Sequence, residues 1–138
     1  MAMVCATPLS VLVVEDEGIV RMLVVDLLRE AGFKVTAAEH ANEAVKILES
    51  GSPNIHVVFS DVHMPGRMTG VDLAAHVRMC WPWIGVMLTS GKAVPRPDGL
   101  PEDICLLEKP YALGDVVIRI HEMASSRLSR GKDQLSKG

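Results

Sequence analysis

Aromatic residues are scarce in this sequence, and basic residues do not outnumber acidic ones. Phe, Trp and Tyr together make up 4% of its 138 residues, and the formal net charge at pH 7 is −3. A protein that binds nucleic acid directly usually presents clustered Lys and Arg side chains, often with aromatic rings that stack on bases. The composition therefore argues against direct nucleic-acid binding.

Cysteines are few as well, and no hydrophobic run is long enough to cross a bilayer. Cys5, Cys80 and Cys105 are odd in number, and their spacing matches neither a disulfide framework nor a metal site. The apolar stretch near the N-terminus is followed by acidic residues and preceded by no basic one, unlike a signal peptide. We therefore expect a cytoplasmic protein without a membrane segment, in which the thiols stay reduced.

Apolar runs of strand length alternate with segments of helical periodicity. The sequence predicts strands at 9–14, 33–38, 55–60, 84–90 and 104–108, and helices at 15–32, 41–51, 70–81 and 113–124. Such alternation favours a parallel sheet with helices on both faces, and right-handed crossovers leave few strand orders. We predict a doubly wound α/β fold with five parallel strands in the order 2-1-3-4-5. The stripe of the first helix predicted to face this sheet comprises Val20, Leu23, Val24, Leu27, Leu28 and Ala31.

One interval breaks the alternation. Residues 91–103, between the fourth and fifth strands, contain Pro95, Pro97 and Pro101, and proline disrupts a helix interior. We therefore predict that the fourth helix of the fold is short or missing.

The length of the chain suits one domain with a single core. We place this domain at residues 9–124, after an N-terminal extension at residues 1–8. From Ser125 the chain turns polar, so residues 125–138 are predicted to form a disordered tail.

Polar residues follow several of the predicted strands directly. In a sheet of this type, ligands bind beyond the carboxyl ends of the strands, where the strand order reverses. We therefore expect one site that brings together the residues delivered there, namely Glu15, Asp16, Asp61, Thr89, Ser90 and Lys109.

The acidic residues of this set favour a magnesium site. Three neighbouring carboxylates repel one another, and a divalent cation relieves that repulsion. Mg²⁺ prefers oxygen ligands and keeps several waters, so one or two protein carboxylates suffice. We predict direct ligation by Asp16 and Asp61, ligation by Glu15 through water, and a contribution from the carbonyl of His63. No Cys/His cluster indicates zinc.

A carboxylate, a magnesium ion, a lysine and a hydroxyl together suit phosphoryl transfer onto the carboxylate. Asp61 is the predicted nucleophile, which forms an aspartyl phosphate. Magnesium and Lys109 would neutralise charge on the phosphoryl oxygens, and the hydroxyl of Thr89 would donate to one of them.

Four segments in this order resemble the receiver domain of two-component response regulators: "VLVVEDE" (11–17), "FSDVHMPG…TG" (59–70), "LTSG" (88–91) and "LEKP" (107–110). The resemblance covers residues 9–124 and implies a flavodoxin-like fold. It also implies that a histidine kinase or a histidine phosphotransfer protein supplies the phosphoryl group. In this family's pattern, Glu15 and Asp16 are the acidic pair, Asp61 the phosphoacceptor, Thr89 the switch hydroxyl and Lys109 the lysine, with a cis bond to Pro110.

The sequence departs from that pattern in three places. The position that is often aromatic, three residues before the lysine, is Leu106, although Tyr111 offers an aromatic nearby. The fourth helix is replaced by the proline-rich interval, and no output domain follows the last helix. We therefore expect a stand-alone receiver, a monomer or weak homodimer, that signals by contact with an unidentified downstream protein or passes phosphate along a relay.

Two alternative functions stay open. The chain could be a degenerate receiver that serves as a phosphate-independent interaction module. It could also be a magnesium-dependent phosphatase with an aspartate nucleophile, although such enzymes typically have a second carboxylate two residues later, where this chain has His63. Taken singly, Asp61 is also compatible with a turn residue and Thr89 with an ordinary strand residue.

Overall fold

Strands and helices alternate along the computed structural model, which describes residues 8–64, 66–91, 96–98, 100–101 and 104–137, with side chains as far as Ser125. Within these residues the elements are β1 (Ser10–Val14), α1 (Gly18–Glu30), β2 (Lys34–Ala38), α2 (Ala41–Ser50), β3 (Val57–Asp61), α3 (Gly70–Cys80), β4 (Gly85–Ser90), β5 (Cys105–Glu108) and α4 (Leu113–Lys137). Apart from Pro8, the predicted N-terminal extension lies outside the described residues.

The five strands form one sheet with the order β2-β1-β3-β4-β5, and all neighbouring pairs are parallel. The predicted fold class and strand order are thus confirmed. After β1, the chain adds β2 to one edge of β1. It then passes back over β1 and adds β3 to the other edge of β1. The strand order therefore reverses between β1 and β3, so the carboxyl ends of these two strands frame the crevice where such sheets bind ligands.

Side chains alternate between the two faces of the sheet along every strand, so each face carries buried apolar side chains. A pair of helices covers each face. One buried cluster lies between the sheet and the helices α1 and α4, and we call this side the α1/α4 face. The opposite cluster lies under α2 and α3 and defines the α2/α3 face. Central residues of the first cluster are Val11, Val13, Val25, Leu28, Val57, Phe59, Met87, Val116 and Ile120. Central residues of the second are Leu12, Val14, Ala44, Leu48, Val58, Leu73, Val77, Val86 and Leu88.

Helix α1 buries a narrower stripe than the sequence predicts. Val24, Val25 and Leu28 are buried, whereas Leu23 is 57% exposed and Ala31 is exposed. The predicted inward positions of Leu23 and Ala31 are therefore wrong. The segment "IVRMLVV" is apolar on most of its circumference, so its periodicity does not define which side meets the sheet.

The described residues between β4 and β5 contain no helix, which agrees with the prediction that the fourth helix is short or missing. Pro95 lies outside the described residues. The part of the interval that is described is anchored by its apolar side chains, since Leu100 and Ile104 are buried in the cluster on the α2/α3 face. Arg96 also donates a hydrogen bond of 3.2 Å to the carbonyl of Ile104.

Helix α4 continues to Lys137, so the predicted end at Ala124 is too early, and the backbone is helical where a disordered tail was predicted. No proline occurs after Pro110, and Arg, Lys, Gln and Leu are good helix formers. A polar segment has no apolar face to bury, but polar residues do not by themselves end a helix. The domain limits at residues 9 and 124 stay a prediction. No helix in the described part of the chain is both long and apolar enough to span a membrane.

Gly70 allows α3 to start directly against the end of β3. Its backbone N–H donates to the carbonyl of Val62 at 2.9 Å. A Cβ atom at Gly70 would lie 2.7 Å from the Cα of Val62 and closer still to the carbonyl oxygen of Asp61. Thr69 and Asp72 form a capping box at the same helix start. The backbone that carries Asp61 is therefore fixed by a contact that only glycine permits.

We expect Gly70→Ala to destabilise the fold by about 1–3 kcal/mol, because backbone atoms must move to admit the methyl group. Gly114→Ala is the matched control, since a Cβ there meets nothing within 4 Å and alanine is the better helix former. Chemical denaturation measures both. Equal stability of the two variants would contradict the close approach at Gly70.

His56 makes stability depend on pH. It lies directly before β3, and its Nδ1 accepts a hydrogen bond of 3.0 Å from the backbone N–H of Ser10. Burial lowers the pKa of His56 below its ordinary 6.5. As the pH falls below that value, the unfolded chain binds the proton first. Stability is therefore fully present above the unfolded pKa and declines as the pH falls through the folded pKa.

We expect His56→Asn to flatten this decline, because asparagine keeps an acceptor near the position of Nδ1 and does not titrate. The measurement is the free energy of unfolding at pH values on both sides of the ordinary histidine pKa, about 6.5. If the native chain and the variant lose stability equally on acidification, the assignment to His56 is wrong.

Candidate functional site

The sheet register brings the predicted site residues to one edge and one face. Asp61 pairs with Thr89 across β3 and β4. The hydrogen bonds between β1 and β2 continue to Glu15, whose backbone N–H donates to the carbonyl of Ala38 at 3.1 Å. Those between β4 and β5 continue to Lys109, whose backbone N–H donates to the carbonyl of Ser90 at 2.8 Å. Each of the four side chains follows a residue of the α1/α4 face by two positions, so all four project to that face. Ser90 follows Thr89 by one position and projects to the opposite face.

Lys109 and Asp61 form the central contact of the site. The Nζ atom of Lys109 donates to Oδ2 of Asp61 at 2.8 Å, and the Asp61 side chain is only 13% exposed. The backbone N–H of His63 donates to the other carboxylate oxygen at 3.2 Å. Both oxygens of Asp61 are therefore oriented, although the two partners are 48 and 2 residues away in the sequence.

Glu15 is the buried acid of the site, at 8% exposure. Its Oε1 accepts a hydrogen bond of 3.2 Å from the N–H of Glu17. Arg21 donates from Nη1 to the carbonyl of Glu15 at 2.8 Å and pairs with Glu39 at 3.6 Å. These contacts fix the turn between β1 and α1, from which Asp16 projects as an exposed residue.

At this edge of the sheet the carboxylates of Glu15, Asp16 and Asp61 outnumber the ammonium group of Lys109. Burial raises the pKa of Glu15, and the charge of Asp61 and a side-chain hydrogen bond with Asp16 act in the same direction, against the Glu17 N–H and the charge of Lys109. Burial disfavours the ammonium of Lys109, yet the hydrogen bond and charge of Asp61, together with the charge of Glu15, raise its pKa above the ordinary 10.5. The carboxylates thus repel one another while they stabilise the ammonium group of Lys109. A further cation would reduce the repulsion between the carboxylates.

The donor set fits a hard divalent cation. Among the described residues, no group of three or more His, Cys, Asp or Glu side chains is positioned to hold a metal ion. Mg²⁺ does not need such a group, because it binds through one or two carboxylates and keeps water on its other positions. The neighbouring acids Glu15, Asp16 and Asp61 would supply oxygen ligands of that kind. The assignment of individual ligands, including the carbonyl of His63, stays a prediction.

Thr89 lines a small pocket beside Asp61. It is 3% exposed, and its carbonyl accepts a hydrogen bond of 2.8 Å from the N–H of Val62. Its backbone is therefore tied to the residue after the candidate acceptor. The residues that line the pocket are Val13, Glu15, Val24, Phe59, Ser60, Asp61, Thr89 and Tyr111.

Four of the residues that line the pocket were not recognised as site residues from the sequence, namely Val13, Val24, Phe59 and Ser60. Val24 and Phe59 form apolar walls of the pocket, and neither carries a chemical signal that sequence reasoning could use. Tyr111 was noted only as an available aromatic, and it too lines the pocket. The bond between Lys109 and Pro110 is cis, as the resemblance implied. Leu106, by contrast, packs on the α2/α3 face.

Comparison with known proteins shows to which family the chain is similar. The family model of the response regulator receiver domain matches residues 11–97. The chain is 37% identical over 117 residues to the sensor kinase CckA of Brucella abortus, which covers 83% of this chain and 12% of that protein. It is 30% identical over 116 residues to the response regulator receiver protein CpdR of the same organism, which covers 82% of this chain and 94% of that protein.

A solved structure shares the same architecture. The response regulator protein TrrA from Thermotoga maritima, in complex with Mg²⁺ and BeF, superposes with a TM-score of 0.75 at 26% identity, over 83% of this chain and 98% of that one. Sequence, fold and the arrangement of the strand-end residues therefore lead to one assignment: this chain belongs to the response regulator receiver domain family.

Proposed function

We propose that Asp61 accepts a phosphoryl group in the presence of Mg²⁺ and that the resulting charge switches contacts with a downstream protein. The observation that supports this most directly is the contact of 2.8 Å between Lys109 Nζ and Asp61 Oδ2, with Thr89 opposite Asp61 on the neighbouring strand. A nucleophilic carboxylate, a cation hydrogen-bonded to it and a buried hydroxyl are thereby held at one edge and one face of the sheet, an arrangement that suits phosphoryl transfer.

In the proposed reaction, a carboxylate oxygen of Asp61 attacks the phosphorus of a phosphohistidine. The bond between phosphorus and the imidazole nitrogen breaks, and the donor histidine leaves with the electron pair. A bound Mg²⁺ would supply positive charge next to the phosphoryl oxygens. Lys109 moves its hydrogen bond from Asp61 to a phosphoryl oxygen, and the Thr89 hydroxyl donates to another. Water later attacks the phosphorus, which releases inorganic phosphate and restores the carboxylate.

We propose a histidine kinase or a histidine phosphotransfer protein as the donor. A relative is named as a sensor kinase and another as a response regulator receiver protein, which supports a partnership of this kind. Helix α1, which follows the acidic pair, exposes Ile19, Met22 and Leu23 at 84%, 64% and 57%. Exposed apolar side chains beside the site offer the donor protein a surface to bury.

The two alternative functions have less support. A degenerate receiver has no need for the hydrogen-bonded pair of Lys109 and Asp61. A phosphatase of the aspartate class would need an acid two residues after the nucleophile, and that position holds His63, which is exposed. Multiple turnover of a phosphomonoester would favour the phosphatase. The absence of any response to a phosphodonor with magnesium present would favour the degenerate receiver.

We expect Asp61→Asn to abolish phosphorylation by acetyl phosphate and by any cognate kinase, because the amide lacks the nucleophilic oxygen. Asp26→Asn is the control, since Asp26 is an exposed acid on α1 outside the pocket. Intact mass spectrometry at low temperature measures the incorporated phosphate. Equal labelling of the Asp61→Asn variant would refute Asp61 as acceptor.

Charge placed on α1 tests the docking of the donor separately. We expect Met22→Glu to slow transfer from the protein donor by about tenfold or more, because a charge in an apolar interface costs of the order of 1.4 kcal/mol or above. Labelling by acetyl phosphate, which needs no docking surface, should stay unchanged. Equal loss with both donors would mean that the variant damages the site and not the docking.

A further inference from the structure

Tyr111 occupies a position that the proposed chemistry leaves without a role. It follows the Lys109–Pro110 bond and precedes α4, and it packs against the cluster on the α1/α4 face. Its ring meets that of Phe59 edge-on, with centroids 5.9 Å apart and an interplanar angle of 75°. This geometry is favourable for an aromatic pair, so the ring is held in place although it is only half-buried.

The held ring forms one wall of the pocket that contains Asp61. Glu15, Asp61 and Thr89 make the polar part of this pocket, and Val13, Val24 and Phe59 join Tyr111 in the apolar part. Val24 comes from α1, whereas Tyr111 comes from the segment between β5 and α4. The acceptor carboxylate is thus flanked by apolar groups from two separate elements.

We propose that Tyr111 shields the phosphoryl group on Asp61 from water and thereby prolongs the lifetime of the aspartyl phosphate. This inference rests on the proposed function. In hydrolysis, a water oxygen forms a bond to phosphorus while the bond between phosphorus and the Asp61 oxygen breaks. A ring fixed at the pocket wall removes space from which water can approach. Tyr111 acts on the water and not on the phosphoryl group, so it is a shielding residue and not a catalytic one.

Leu106 cannot perform this role. It pairs with Leu88 on β4 and packs with the buried residues of the α2/α3 face, on the other side of the sheet from the Asp61 side chain. Because the two positions lie on opposite faces, the effect of Tyr111 can be separated from a general loss of packing near β5.

The test is the decay of phosphorylated protein after labelling with acetyl phosphate and Mg²⁺ and rapid removal of the donor. The decay rate does not depend on how much protein was labelled. We expect Tyr111→Ala to decay at least about threefold faster than the native chain, and Tyr111→Phe to stay within about twofold of it, since the ring that excludes water is retained. Leu106→Ala, the matched control on the other face, should decay at the native rate.

Native decay in Tyr111→Ala, or equal acceleration in Leu106→Ala, would overturn the inference. If Tyr111→Ala does not fold, Tyr111→Leu takes its place with the same expectation. A second measurement uses the native chain: Tyr111 is its only tyrosine, so the ring signals in a tyrosine-labelled NMR spectrum should shift when beryllofluoride and Mg²⁺ are added.

The outcome also separates the inference from the proposed function. If the native chain takes up no phosphate and beryllofluoride shifts no amide near Thr89, both fail. If the chain is labelled and the Thr89 amide shifts, but the Tyr111 ring signals and the decay rate of Tyr111→Ala do not change, only the shielding role fails.

Discussion

The ion pair of Lys109 with Asp61 depends on the parallel register of β3, β4 and β5, and the rest of the site depends on that pair. The two residues are 48 positions apart in the sequence. They meet because both strands end at the same edge of the sheet and because Asp61 and Lys109 both fall on the α1/α4 face. A shift of either strand by one residue would turn its polar residue to the opposite face. The buried apolar strands therefore set the position of the charges.

The site concentrates negative charge at a point where the fold gains no stability from it. Glu15 is buried beside Asp16 and Asp61, and its pKa is raised by that burial and by the neighbouring acid. Such an arrangement conflicts with the ordinary rule that buried charges are paired. Conflicts of this kind concentrate at functional sites, and a cation placed among these acids would reduce their mutual repulsion.

The two faces of the sheet carry different sets of side chains. The α1/α4 face carries Tyr111 and the polar side chains that follow the strands, whereas Leu106 lies with the core on the α2/α3 face. Asp61 shares its pocket with Val24 of α1 and with Tyr111 of the segment before α4. The proline-containing interval before β5 is linked to the other cluster by Leu100 and Ile104.

The sequence by itself determined the alternation of strands and helices, which with right-handed crossovers left few strand orders to choose from. It also determined the set of polar residues at the strand ends, because apolar runs and the polar residue after each run are local features. It did not determine which side of α1 meets the sheet, since the segment "IVRMLVV" is apolar on most of its circumference and only the sheet selects Val25 over Leu23. The sequence also did not show that α4 continues beyond Ala124, because a polar composition does not mark the end of a helix. Gly70 meets Asp61 and Val62 only because α3 packs against the end of β3, and Tyr111 meets Phe59 only because the segment after β5 packs against β3. Such contacts depend on how the elements pack together, and so only the tertiary structure decided them.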